Sequence, residues 1–182
     1  MSATFTEQHT TIPAGTWAVD ATHSRIEFAI EYLAGTFRGS FSPFEGNLVA
    51  EGSELKLEGA APVAGVSVQD ENLAAHLQGP DFFDAERAPE IRFLSTGFVR
   101  SGGEITVRGE LTIRGITKPV ELAGTIGDPI TDGYGRERLS LTLSTTIDRT
   151  AFGIDWNLPL PTGQPALAKD VTLTAELYLV KA

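Results

Sequence analysis

Residues 104–126 read EITVRGELTIRGITKPVELAGTI, and this stretch decides the fold class. Ile105, Val107, Gly109, Leu111 and Ile113 fall on one phase of a two-residue period, while Thr106, Arg108, Glu110, Thr112 and Arg114 fall on the other. Such a period describes a strand with one dry face and one wet face. After Gly115-Ile116-Thr117-Lys118 the alternation resumes as Val120, Leu122, Gly124 and Ile126. The spacing therefore predicts a β-hairpin with a four-residue link, and its apolar face needs partners.

Partners lie on both sides. Toward the N-terminus, Ile26, Phe28, Ile30 and Tyr32 share a phase, as do Phe37, Gly39 and Phe41. Ser42-Pro43 interrupts, and Phe44, Gly46, Leu48 and Ala50 resume the alternation before a further strand carries Leu55, Leu57 and Gly59. Toward the C-terminus, Leu139, Leu141, Leu143, Thr145 and Ile147 alternate, and the last strand places Val171, Leu173, Ala175, Leu177 and Leu179 on one phase. The period changes at Asp70, where Asp70-Glu71-Asn72 is suited to cap a short helix with Leu73 and Leu77 on one face. Gly79-Pro80 ends that helix, residues 81–89 form a second compact segment, and Asp148–Trp156 makes a short cap before a proline-rich loop at 157–166. About eight to ten strands with one helical interruption and no repeated βα unit exclude a doubly wound sheet. They predict an all-β antiparallel barrel, with a solid β-sandwich as the competing architecture.

The 182 residues make one domain at 15–182, preceded by a polar arm at 1–14. The absence of cysteine excludes disulfides and thiol chemistry. A net charge of -10 repels phosphates and anionic lipid head groups, so nucleic acid is not an expected partner. The N-terminal MSATFTEQHTTIPAGTW has neither a basic start nor an apolar run, which predicts a cytoplasmic chain. No run of 18 apolar residues occurs, so stable membrane insertion is not expected. Pairing through an exposed strand would give a homodimer, although no residue decides it.

Gly39, Gly46, Gly59, Gly109 and Gly124 all fall on the apolar phase. Two explanations stand side by side: glycine relieves crowding where a small barrel coils sharply, or it leaves interior volume for a ligand, as an eight-stranded barrel can. On the second reading the wall comprises Phe28, Ile30, Phe37, Gly39, Phe41, Phe44, Gly109, Leu111, Ile113, Leu122, Gly124, Leu141, Leu143 and Leu173. That phase offers no ionisable group, so the expected partner is a long-chain apolar small molecule.

Catalytic signals are weak. His9, His23 and His76 form no metal-binding pair motif, and there is no G-x-S-x-G elbow. Asp81, Asp84 and Glu86 read as capping and solvated charge. His23, beside Asp20 and Ser24, is suited to a turn hydrogen bond, with catalysis as the less favoured role. Arg149 either covers the turn that Asp148 caps or meets an anionic or quinone head group. No catalytic residue and no metal ligand is assigned.

VDATHSRIEFAIEY (19–32), GTFRGSFSPFEGNL (35–48), DFFDAERAPEIRFLST (81–96), GELTIRGITKPVEL (109–122) and TIDRTAFGI (146–154) together resemble the YceI-like family of polyisoprenoid-binding, lipocalin-like proteins over residues 15–180. The resemblance implies an extended eight-stranded antiparallel barrel with a short helical insertion, a bacterial source, and a bound polyisoprenoid or isoprenoid quinone with no other cofactor. It implies structural work for His23 and Ser24 at the start of a strand and for Asp148 and Arg149 at a barrel end. Tyr32 stands where members often carry a histidine, so a head-group role of that histidine does not carry over; His23, Tyr32 and Arg149 are the candidates for mouth or head-group contacts. The family has no general catalytic set.

Overall fold

The computed structural model describes residues 11–182. In chain order its strands are β1 (Gly15–Val19), β2 (Arg25–Tyr32), β3 (Gly35–Phe41), β4 (Glu45–Glu51), β5 (Glu54–Pro62) and β6 (Val66–Ser67), followed by helix α1 (Glu71–Gln78). Then come β7 (Glu90–Ser101), β8 (Glu104–Ile113), β9 (Ile116–Ile126), β10 (Ile130–Thr131), β11 (Glu137–Asp148) and β12 (Leu167–Lys181). Turns at Asp20–Ser24 and Ser42–Phe44 break two long strands into β1 with β2 and β3 with β4. Counted that way, eight antiparallel strands close into a barrel. β12 supplies the closure: residues 138–148 of β11 run along one edge, while β1 and β2 occupy the other.

The hairpin at 104–126 forms, with a tighter turn than the sequence predicts. Ile113 faces Ile116 across two residues, Arg114 and Gly115, at φ +55° and +73°. Two residues with positive φ match the right-handed twist of the flanking strands. Thr117 and Lys118 belong to β9, opposite Thr112 and Leu111. Pro119, which reads as a breaker, is accommodated because β11 pairs with β9 only over residues 123–126, leaving no ladder bond for Pro119 to miss.

The interior is uneven along the barrel axis. At the end near the β1 start, Trp17, Leu48, Val107, Leu141 and Leu179 are wholly buried, with Trp17 directly opposite Leu48. Burial of side chains this size stabilises by roughly 1.5–3 kcal/mol each before entropy is counted. At the other end β3 pairs with β2 and β6 but not with β5. The insertion at 63–89 covers that gap. Asp70 caps α1 by accepting from the Leu73 N–H at 3.0 Å, and Leu77 turns inward.

Most of the expected arm at 1–14 lies outside the described residues. Ile12 is nevertheless buried in the core, and the Trp17 indole donates to the Pro13 carbonyl at 3.1 Å. The packed body therefore reaches back to Ile12 rather than beginning at Gly15. Among the described residues no helix is long and apolar enough to cross a membrane.

Candidate functional site

Above the solid floor the barrel encloses an apolar lumen of about 370 Å³. Phe28, Ile30 and Tyr32 of β2, Phe37 and Phe41 of β3, and Phe44 before β4 form one wall. Leu111 and Ile113 of β8, Val120 and Leu122 of β9, Leu143 and Ile147 of β11, and Val171, Leu173 and Ala175 of β12 form the other. Alternation alone puts these side chains on one face, because residues opposite each other across antiparallel strands share a side of the sheet. Phe28 packs against Phe37 and Phe41 at ring-centroid distances of 6.1 and 5.8 Å, and Phe41 meets Phe83 of the insertion edge-on at 5.5 Å. The aromatic wall thus ties the strands to the cap.

Three of the expected wall glycines are not open positions. A Cβ on Gly39 would sit 2.3 Å from the Phe28 ring, and one on Gly109 would sit 2.5 Å from the Phe93 ring. In both places the tip of a neighbouring ring takes the volume that the missing side chain leaves. A Cβ on Gly124 would lie 1.7 Å from the Thr142 carbonyl oxygen, so there two backbones approach closely. Only Gly46 and Gly59, paired across β4 and β5, border the lumen. Leu141 faces inward as expected but belongs to the packed floor.

The three mouth candidates separate. Tyr32 borders the lumen, faces Leu167 across β12 and is 40% exposed, which places it at the rim. His23 is remote from the lumen. Its Nδ1 lies 2.8 Å from Asp20 Oδ2 in the turn between β1 and β2, and the ring packs beside Tyr178. That contact, with a further bond from Arg138 at 3.2 Å, holds the Asp20 carboxyl below its ordinary value, the His23 hydrogen bond being the larger cause. Neighbouring Ser24 accepts from the Tyr178 N–H at 2.9 Å. The pair therefore repairs the β12 ladder where β1 breaks from β2.

Arg149 borders the lumen but its donors are engaged. Nε donates to the Ala168 carbonyl at 2.7 Å, and Nη1 donates to those of Ile154 and Trp156 at 2.8 and 2.9 Å. Nη2 makes a longer bond to the Leu167 carbonyl at 3.4 Å. Among the described residues no carboxylate touches this guanidinium, which is only 4% exposed, and burial pushes its pKa below the usual arginine value. Its role is to pin the 149–168 segment across the barrel end. Asp148 caps the same turn, accepting from the Thr150 N–H at 2.9 Å.

Sequence reasoning did not assign the cap to the site. Leu73, His76, Leu77, Phe82, Phe83 and Trp156 all border the lumen. His76 meets Phe82 and Trp156 edge-on at 5.0 and 5.3 Å, and its Nε2 lies 3.1 Å from Asp81 Oδ2. The signal was present in the spacing, since His76 lies three residues after Leu73 and so shares its helical face. Asp84 is buried in the turn after α1. Among the described residues no group of three acidic or histidine side chains is placed to hold a metal.

The YceI-like domain model matches residues 17–179. A UPF0312 protein of Staphylococcus aureus (strain USA300) is 32% identical over 166 residues, covering 86% of this chain and 92% of its own. The crystal structure of Burkholderia cenocepacia BcnA superposes with a TM-score of 0.75 at 20% identity, over 88% of this chain and 98% of BcnA. A polyisoprenoid binding domain from Saccharophagus degradans, implicated in plant cell wall breakdown, gives a TM-score of 0.68 at 10% identity over 91% and 98% of the two chains. At those identities the two structures are similar to this chain in fold.

Proposed function

We propose, because this chain belongs to the YceI-like family and its barrel holds an apolar lumen, that it binds and carries or stores a long apolar amphiphile. The tail is a polyisoprenoid, free or as the chain of an isoprenoid quinone. The single observation behind this reading is the lumen itself: about 370 Å³ bounded by aromatic and aliphatic side chains, within the size range of small-molecule sites. On this reading the tail end lies toward the solid floor, at Leu143 and Leu177, and any polar end among Tyr32, His76 and Trp156. A neutral head group suits this rim better than an anionic one, because Arg149 has its donors on backbone carbonyls.

The binding is non-catalytic. Of the groups an enzyme at the mouth would draw on, His23 lies away from the lumen in the turn with Asp20, and Arg149, which borders the lumen as the 81–86 segment does through Phe82 and Phe83, has its donors on backbone carbonyls. The test is native mass spectrometry with organic extraction on protein purified without detergent, followed by titration of the extracted protein with a short-chain ubiquinone. A long apolar species should be recovered. The quinone should quench the emission of Trp156, at the lumen, and leave Trp17, in the floor, unchanged. An extract without apolar species, together with no quenching in a Trp17→Phe variant, rejects the proposal.

A further inference from the structure

We propose that Leu33 and Leu158 form an apolar lip at the rim of the lumen that docks transiently on a neutral lipid bilayer, where the cargo enters and leaves. Leu33 is the first residue of the two-residue turn between β2 and β3, where Tyr32 faces Gly35. Its φ is +52°, a region that glycine or asparagine occupies readily and a bulky side chain does not. Leu33 is also 58% exposed, so burial of its side chain does not compensate for that backbone. An exposed leucine at a position locally suited to glycine is the kind of outlier that points to a role outside the fold.

The surroundings hold this arrangement in place. The Leu33 N–H donates to the Ala166 carbonyl at 2.9 Å, and the Ala166 N–H donates to the Leu158 carbonyl at 3.0 Å. Leu158, 54% exposed, donates its own N–H to Asn157 Oδ1 at 2.9 Å, while the Asn157 amide donates to the Leu167 carbonyl at 2.8 Å. Leu167 is the cross-strand partner of Tyr32, and both border the lumen. One bonded path thus runs from the lumen wall outward to the two exposed leucines.

Charge selects the occupant. Residues 157–168, NLPLPTGQPALA, and 32–37, YLAGTF, contain no charged side chain, although 21% of the chain is charged. The net charge of -10 resides elsewhere and is repelled by anionic lipid. The lip therefore faces a neutral surface. Two leucines bury less hydrocarbon than a single myristoyl chain, which by itself gives only marginal, reversible binding. Contact is brief, as exchange requires.

The purpose assigned to the lip rests on the carrier reading, but docking is measured without cargo, so either can fail alone. The measurement is energy transfer from Trp156 to a dansyl-labelled lipid in phosphatidylcholine vesicles, using the full chain. The parent should show transfer that rises with vesicle concentration and persists in high salt. Leu33→Asn with Leu158→Ser should reduce it about fivefold or more, since part of two leucine side chains no longer leaves water. Leu33→Asn alone should keep or raise Tm. The proposal is overturned by a parent that shows no transfer, by a double variant that docks like the parent, or by a lower Tm for Leu33→Asn. It is equally overturned if light scattering shows that the variants change the oligomeric state instead, which would make the lip a contact between copies of the chain.

Discussion

Leu141→Ala and Leu173→Ala remove the same atoms from the same barrel face, and they should differ in stability by about 2 kcal/mol. Each deletes three carbons, a transfer loss of about 2.4 kcal/mol when the side chain is fully buried. Leu141 is wholly buried in the floor beside Leu139 and Leu179. Its removal leaves a new void among atoms that cannot fully collapse, which raises the total to about 3–5 kcal/mol. Leu173, opposite Phe28 on β12, is only partly buried and borders a lumen that is already present. On that side it has no packing partner to lose, so the loss falls to about 1–2 kcal/mol. Urea unfolding of cargo-free protein, with m-values compared, reads both. If the two variants lose stability equally, within about 0.5 kcal/mol, Leu173 is packed as tightly as Leu141 and the hollow upper barrel is refuted.

Gly124→Ala places a methyl 1.7 Å from the Thr142 carbonyl oxygen and should lower stability by at least about 3 kcal/mol or prevent folding, read by circular dichroism and urea titration. Arg149→Met should cost about 3 kcal/mol or more by leaving several buried carbonyls without a donor; Arg149→Lys should recover only part, because an ammonium lacks the planar fork. The Asp20 carboxyl has a folded pKa below its unfolded value, so its contribution is present above about pH 4 and fades as pH falls through the folded pKa. Urea midpoints from about pH 5 to pH 2.5 should therefore drop less steeply in Asp20→Asn than in the parent; parallel curves would exclude a role for the Asp20–His23–Arg138 contacts in acid sensitivity.

Alternation made the strands legible because each has one dry and one wet face, and Asp70 with Leu73 and Leu77 made α1 legible by capping and spacing. Backbone geometry at single residues was not. The turn at Arg114–Gly115 was hidden because arginine seldom takes positive φ, while Gly115-Ile116-Thr117-Lys118 reads as a four-residue link. Of the residues expected on the wall, Phe28, Phe37, Phe41, Leu111, Leu122 and Leu173 border the lumen. At Gly39 and Gly109 the crowding explanation is the one that fits, because the covering ring comes from Phe28 or Phe93 on a neighbouring strand in a rotamer no linear pattern encodes. His76 and Trp156 were missed for a related reason. They meet only because the insertion at 63–89 and the segment after β11 close over the same barrel end.

The division of the barrel also resolves an energetic difficulty in the carrier reading. One isoprene unit nominally contributes about 3–4 kcal/mol on leaving water, so a tail of eight would approach about 30 kcal/mol, above the practical ceiling of about 18–21 for non-covalent binding. A protein that needed this energy to fold could not release its cargo. Here Trp17, Leu48, Val107, Leu141 and Leu179 complete a core with no contribution from the lumen. Folding and loading are therefore separable, and the empty barrel should unfold cooperatively at a temperature that cargo raises by mass action alone. On the carrier reading the tail also arrives from hydrocarbon, not from water. Moving it from bilayer to lumen exchanges one apolar environment for another, so the net change is small and both directions remain accessible. Cargo-free protein that melts without a cooperative transition would break this separation and make the ligand part of the fold.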